Sequence, residues 1–474
     1  MTVERRLGTL ASRAVVAAAL VAAGAARAQE GSPATLILGR ALSEPRAYEK
    51  VAHLADRIGP RLSGSAGYDA AVRWAVEEFR RDGLERVWTE KVTVPRWVRG
   101  EERVRIVAPV DASLTAVALG MSVPTPEGGI EAEVVEVDGF EALSAVGEKA
   151  RGKIVLFNRP FLRDAGPEWG YGAASALRHR GGVEAARLGA VGALIRSIGT
   201  ARYRLAHTGM TGREDGVPGI PYAAVSQEDA DHLHRLLAAG ETVRVRMTLG
   251  CRTEPDVEQA NVLAEIRGQE RPEEVVVIGC HLDSWDLGTG AVDDGAGCAI
   301  VMESLRIVRS LGLAPRRTLR AVLFANEENG LRGGKAYAEA HAAELGLHAA
   351  AIEADSGAGR ATGFGVTAGE GGEEIARRIA RPLSGIGAAE ISKGGGGADI
   401  SPMRPAGVPM LLLRQETERY FDYHHSAADT LDKVDARDLA LATAAMAVMA
   451  YGLADSEEAL PRLEPQAPPS PGVR

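Results

Sequence analysis

"VVVIGCHLDSWDLGTGAVDDGAG", residues 275–297, is the stretch that decides the fold. Residues 275–278 form a short unbroken apolar run, the pattern of a strand buried on both faces. Directly after it, His281, Asp283, Asp286, Asp293 and Asp294 crowd together among Gly288, Gly290 and Gly295. A polar turn rich in helix caps accounts for some of that charge. Gathered carboxylates repel unless a proton or a cation intervenes, so the competing reading is a cage for a divalent metal.

Working outward, apolar β-rich runs recur at 261–266, 319–324, 349–354 and 408–413. Helical patterns alternate with them at about 295–311, 331–345, 371–383 and 436–453, with Val301, Leu305 and Val308 spaced as one helix face. Alternating strand and helix predicts an α/β three-layer sandwich with a mostly parallel central sheet. Ligands bind such sheets beyond the carboxyl ends of the strands. His281 and Asp283 follow 275–278, Glu327 and Glu328 follow 319–324, and Asp355 follows 349–354. Each ending alone reads as a solvated face; three together point to one acidic edge. "YFDYHHSAADT", 420–430, precedes the last helix, where Ser426 or Asp429 reads as a cap and a histidine is placed to reach the same edge.

At 474 residues the chain calls for more than one core. Residues 45–84 are helical around the loop "RLSGSAG", which is no serine-hydrolase elbow because Gly64 abuts Ser65. Residues 125–248 shift to short β-type runs. His207, His232 and His234 within them read as surface histidines, the latter two being on different faces of a helix. Residues 1–28 carry Arg5, Arg6 and Arg13, a short apolar stretch and a small-x-small site at Ala26-Arg27-Ala28, which predicts a signal peptide and export to the periplasm or exterior. No other segment reads as a membrane span.

The net charge of −9, 4% aromatic residues and absence of a basic block exclude nucleic acid as an expected partner. Cys251, Cys280 and Cys298 show no CxxC spacing, which excludes a thiolate zinc site and a disulfide scaffold and leaves one disulfide open.

Taken in order, "HLDSWD…GAVDDGAG", "ANEENGLRGG", "EADSG" and "HHSAADT" resemble the co-catalytic zinc exopeptidases, the aminopeptidases and glutamate carboxypeptidases, and most of all their carboxypeptidase Q (plasma glutamate carboxypeptidase) branch. The resemblance is strong over 255–455 and weaker over 45–105. It implies a discontinuous zinc peptidase domain at 29–124 and 249–460, a protease-associated insert at 125–248 and a flexible tail at 461–474.

Two Zn2+ per chain are implied, with His281 and Asp355 on one, Glu328 and His425 on the other, and Asp293 bridging. Glu327 is implied as general base towards a water or hydroxide shared by the ions. Asp283 would accept the His281 ring N–H, and Asp294 would support. His424 is the competing ligand, otherwise facing substrate. Asp399, in "KGGGGADISPM", is a candidate substrate contact. That loop lacks the Lys-Ser/Thr of a phosphate loop. Trp285 and Asp286 match the branch without a physical role.

The implied function is a secreted exopeptidase cleaving dipeptides or short peptides, with a homodimer common among such proteins. The alternatives are a catalytically silent binding protein on the same fold and a single-zinc cyclotransferase similar to glutaminyl cyclase.

Overall fold

The computed structural model describes residues 31–163 and 169–465; the expected signal peptide lies outside the described residues. Helices Pro33–Ser43, Ala47–Ala52 and Ala66–Arg81 come first. In the last, Ser65 caps the first turn by accepting from the Tyr68 N–H, and Tyr68, Ala71, Ala75 and Phe79 form its buried stripe.

The chain then passes through two sheets, one nested inside the other. Strand β1 (Arg86–Val98) belongs to the first. Strands β2 (Glu102–Ala108), β3 (Ala112–Leu114), β4 (Ala116–Ala118), β5 (Ile130–Val137), β6 (Ile154–Phe157), β7 (Gly192–Arg196), β8 (Tyr222–Val225) and β9 (Arg244–Leu249) build the second. The chain returns to the first through β10 (Arg252–Ile266), β11 (Arg271–His281), β12 (Arg317–Phe324), β13 (His348–Glu353), β14 (Ala361–Thr367), β15 (Glu390–Lys393) and β16 (Met410–Gln415). The second sheet therefore begins at Glu102, ahead of the expected 125. Antiparallel β1 and β10, paired from Arg86 to Val98, form the two arms that lead into and out of it. The 261–266 run is the inner half of β10; its polar half, 252–260, and β1, with its interspersed charges, escaped an apolar scan.

The first sheet runs β1-β10-β12-β11-β13-β16-β14-β15. Its centre, β12-β11-β13-β16, is parallel. Pairings β1/β10, β10/β12 and β14/β16 are antiparallel, so the sheet is mixed where a mostly parallel one was expected. Register settles the rest: His281 lies opposite Phe324, and Gly279 opposite Glu353. The residues that follow β11, β12 and β13 thus leave the sheet from one edge. Every residue of β12 is buried, which explains the missing alternation.

Helix Ala436–Asp455 packs against Ala296–Ser310 under this sheet. It is long and apolar enough to cross a membrane by length and composition, contrary to the sequence reading, but 78% of its apolar window is buried within the fold. The expected tail is also partly tied down: Arg462 donates to the carbonyls of His348, Leu345 and Ala406 at 2.7–3.0 Å.

Candidate active site

Three strand ends and one loop converge below a cavity of about 690 Å³. At the end of β11, the Nδ1–H of His281 donates to the Asp283 carbonyl at 3.0 Å, which turns Nε2 towards two acids that line the cavity. There Nε2 lies 3.1 Å from Asp293 Oδ1 and 3.8 Å from Asp355 Oδ1. On the other side of Asp293, Oδ2 lies 3.4 Å from His425 Nε2, which is itself 3.0 Å from Glu328 Oε2. One carboxylate stands between two imidazole–acid pairs. His424 stacks on His425 at 3.5 Å and, among the acids of the described residues, reaches Asp293 alone, at 3.6 Å, so His425 is the better placed of the two.

This donor set fits a pair of cations. His281, Asp293 and Asp355 bring ligand atoms within 4.8 Å of one another, as do Asp293, His424 and His425. Asp293 Oδ2 and Glu328 Oε1 are buried without a hydrogen-bond partner among the described residues. All donors are nitrogen or oxygen, the chemistry of an open zinc site.

The electrostatics agree. Burial pushes Glu327 up to about 8; Asp355, Asp283 and Asp293 add to the rise, and His281 opposes it. Burial likewise raises Asp355 to about 6, against His281. Glu328 is driven well up by burial and then by Asp293. A bound divalent ion inverts that balance by stabilising the anions. Glu327, half-buried, faces the cavity beside Glu328.

Backbone bonds hold these side chains in place. Asp283 does not orient His281 through its carboxylate, as expected, because Oδ1 lies 3.8 Å from Nδ1 and the backbone carbonyl takes that role. Its carboxylate instead accepts the N–H groups of Glu327 (3.0 Å) and Glu328 (3.3 Å) and the Ser63 hydroxyl. It therefore fixes the turn that aims both glutamates. Asp294 accepts from the His281 N–H and from the Gly297 N–H, tying strand end to helix start. Gly290 adopts φ +59° in this loop, a left-handed turn that favours glycine.

Several contributors escaped the sequence. Arg61, fully buried, donates at 2.7 Å to the carbonyls of Leu282, Thr289 and Gly290, so the loop "RLSGSAG" props the whole 281–295 segment. Asp429, read as a helix cap, accepts from the N–H groups of Val292 and Asp293. Trp285 inserts into the core of the second sheet, and Asp286 pairs with Arg99 through two 2.8 Å bonds, which gives both residues a role in docking the two sheets. His207 is buried, not exposed, with Nδ1 on the His424 carbonyl at 2.7 Å. Asp399 is fully buried and absent from the cavity lining, against its expected contact with substrate. The glycine run lets its segment pack under β13, where a Cβ on Gly397 would meet the Glu353 carboxylate.

Residues 261–450 match the model of peptidase family M28. Mouse carboxypeptidase Q is 40% identical over 417 residues, covering 88% of this chain and 87% of the mouse protein. The chain belongs to peptidase family M28. As a member it is a metallo-exopeptidase. Human carboxypeptidase Q is 38% identical over 420 residues, covering 89% and 88% of the two chains. Among solved structures, the peptidase M28 precursor from Shewanella amazonensis superposes with a TM-score of 0.88 at 40% identity, over 91% of this chain and 98% of that one. The zinc aminopeptidase from Bacillus subtilis shares the fold at 20% identity and a TM-score of 0.64, over 87% and 96%. The M28 match begins within β10, so the family model covers the later strands of the first sheet with all the metal-type donors, and β1 and the second sheet lie ahead of it.

Proposed function

We propose that this M28 peptidase is an exported dizinc exopeptidase that hydrolyses dipeptides or short peptides. The reading rests on one observation above the rest: Asp293 presents one oxygen to His281 and the other to His425. His281 and Asp355 would hold one zinc, Glu328 and His425 the other, with Asp293 shared. Bound there, zinc supplies Lewis acidity, polarising an amide carbonyl and lowering the pKa of water to about 7.

The chain's own residues do the rest. Glu327, its backbone N–H fixed on Asp283, takes a proton from water and returns it to the leaving amine nitrogen. His424 and Tyr171 wall the cavity where a substrate side chain or terminus would lie. Export is supported by the basic, apolar and small-residue succession in residues 1–28. The reading is tested by zinc content and by turnover of unblocked, N-blocked and C-blocked dipeptides. Two ions per chain with a preference for the unblocked substrate are expected; equal cleavage of all three contradicts it.

A further inference from the structure

We propose that His207, in the second sheet's domain, is a positioning residue for the ligands of the second zinc, holding the His424–His425 turn so that His425 Nε2 meets Glu328 and Asp293. The inference rests on the two-zinc reading of the site.

His425 adopts φ +58°, a left-handed conformation that non-glycine residues rarely take without outside support. The support comes from residues 200–208. The Thr208 N–H donates to the His425 carbonyl at 2.8 Å and the Thr200 N–H to the Phe421 carbonyl at 3.0 Å. The Thr200 hydroxyl donates to Asp422 Oδ1 at 2.6 Å. His207 completes the set with its 2.7 Å bond to the His424 carbonyl. A carbonyl only accepts, so His207 is the tautomer with hydrogen on Nδ1; burial, which lowers its pKa, keeps it neutral. His207 is itself anchored, since its backbone N–H donates to Ser197 Oγ at 2.9 Å. Gly199 leaves room for the ring: a Cβ there would stand 2.4 Å from Nε2. The carbonyls on both sides of the strained residue are thus pinned by neighbours outside the peptidase sheet. Loss of the His207 donor frees the turn and leaves a buried carbonyl unpaired.

The test compares the full chain with His207→Leu, His207→Asn and His207→Gln, each loaded with zinc and titrated with a chelator while bound zinc is counted. The asparagine amide reproduces a donor at the Nδ1 position; the glutamine amide falls at the Nε2 position. Wild type and His207→Asn are expected to hold two ions alike. The Leu and Gln variants should keep one ion at wild-type strength and bind the other about 10- to 100-fold more weakly. Equal retention of both ions in Leu and Gln, equal weakening of both, or an Asn variant as weak as Gln overturns the inference. Should the leucine variant fail to fold, the Asn and Gln pair decides alone. A wild type that binds one ion contradicts the two-zinc reading and the inference together, whereas a two-ion wild type indifferent to residue 207 overturns the inference only.

Discussion

Both sheets contain four parallel strands, and both gather polar side chains beyond them. In the second, the charges of that region find partners: Arg196 pairs with Asp231 at 2.6 Å, Asn158 donates to Glu136 at 2.6 Å, and His234 lies 2.9 Å from the same glutamate. In the first, Asp293, Glu327, Glu328 and Asp355 pair with no lysine or arginine among the described residues; the ion-pair contacts of Asp293, Glu328 and Asp355 are with imidazoles alone. Arg61 lies among them but spends its donors on carbonyls. Polar residues at the end of a parallel sheet are therefore not themselves a sign of chemistry. A cluster of buried acids that lines a cavity without a lysine or arginine partner is, because something must compensate it.

That contrast breaks first at Asp293. Asp293→Ala should drop bound zinc below one per chain, and peptidase activity about 10³-fold or more, since both donor sets share this residue. Metal analysis beside a rate assay checks it, and two ions retained would remove the shared ligand. Glu327→Gln separates chemistry from binding. We expect kcat to fall about 10²- to 10⁴-fold with zinc content and KM unchanged. Loss of metal in that variant would make Glu327 a ligand instead. Asp283→Asn turns an amide N–H towards one of the two N–H groups the carboxylate accepts, and kcat should fall about 10- to 100-fold with a smaller change in zinc affinity.

The paired edge of the second sheet should respond least. Asp231→Asn is expected to cost about 1 kcal/mol of stability, being partly exposed, with no effect on kcat. Denaturant unfolding and the same rate assay check this. A large activity loss would mean that the two edges are not as different as their pairing suggests.

The same contrast explains what the sequence disclosed. Apolar runs ending in acids revealed β11, β12 and β13, and the parallel-sheet rule was enough to gather His281, Glu327, Glu328 and Asp355 at one edge. Residues that act on backbone carbonyls left no such trace. Arg61 sits in a loop that reads as a helix connection, and His207 stands in a polar stretch where exposure is the ordinary expectation. Their partners lie more than 200 positions away in the chain. Asp399 misled for a related reason: a run of four glycines reads as a loop open to a ligand, while here it permits close packing on Glu353. Trp285 and Asp286 acquired meaning only when the second sheet was in place to receive them.

The most direct measurement is an anomalous difference map at the zinc edge from crystals of the zinc-loaded protein. Two peaks about 3.5 to 4 Å apart, flanking the Asp293 carboxylate with His281 and Asp355 on one and Glu328 and His425 on the other, are predicted. A single peak, or a pair not shared by Asp293, would contradict the account.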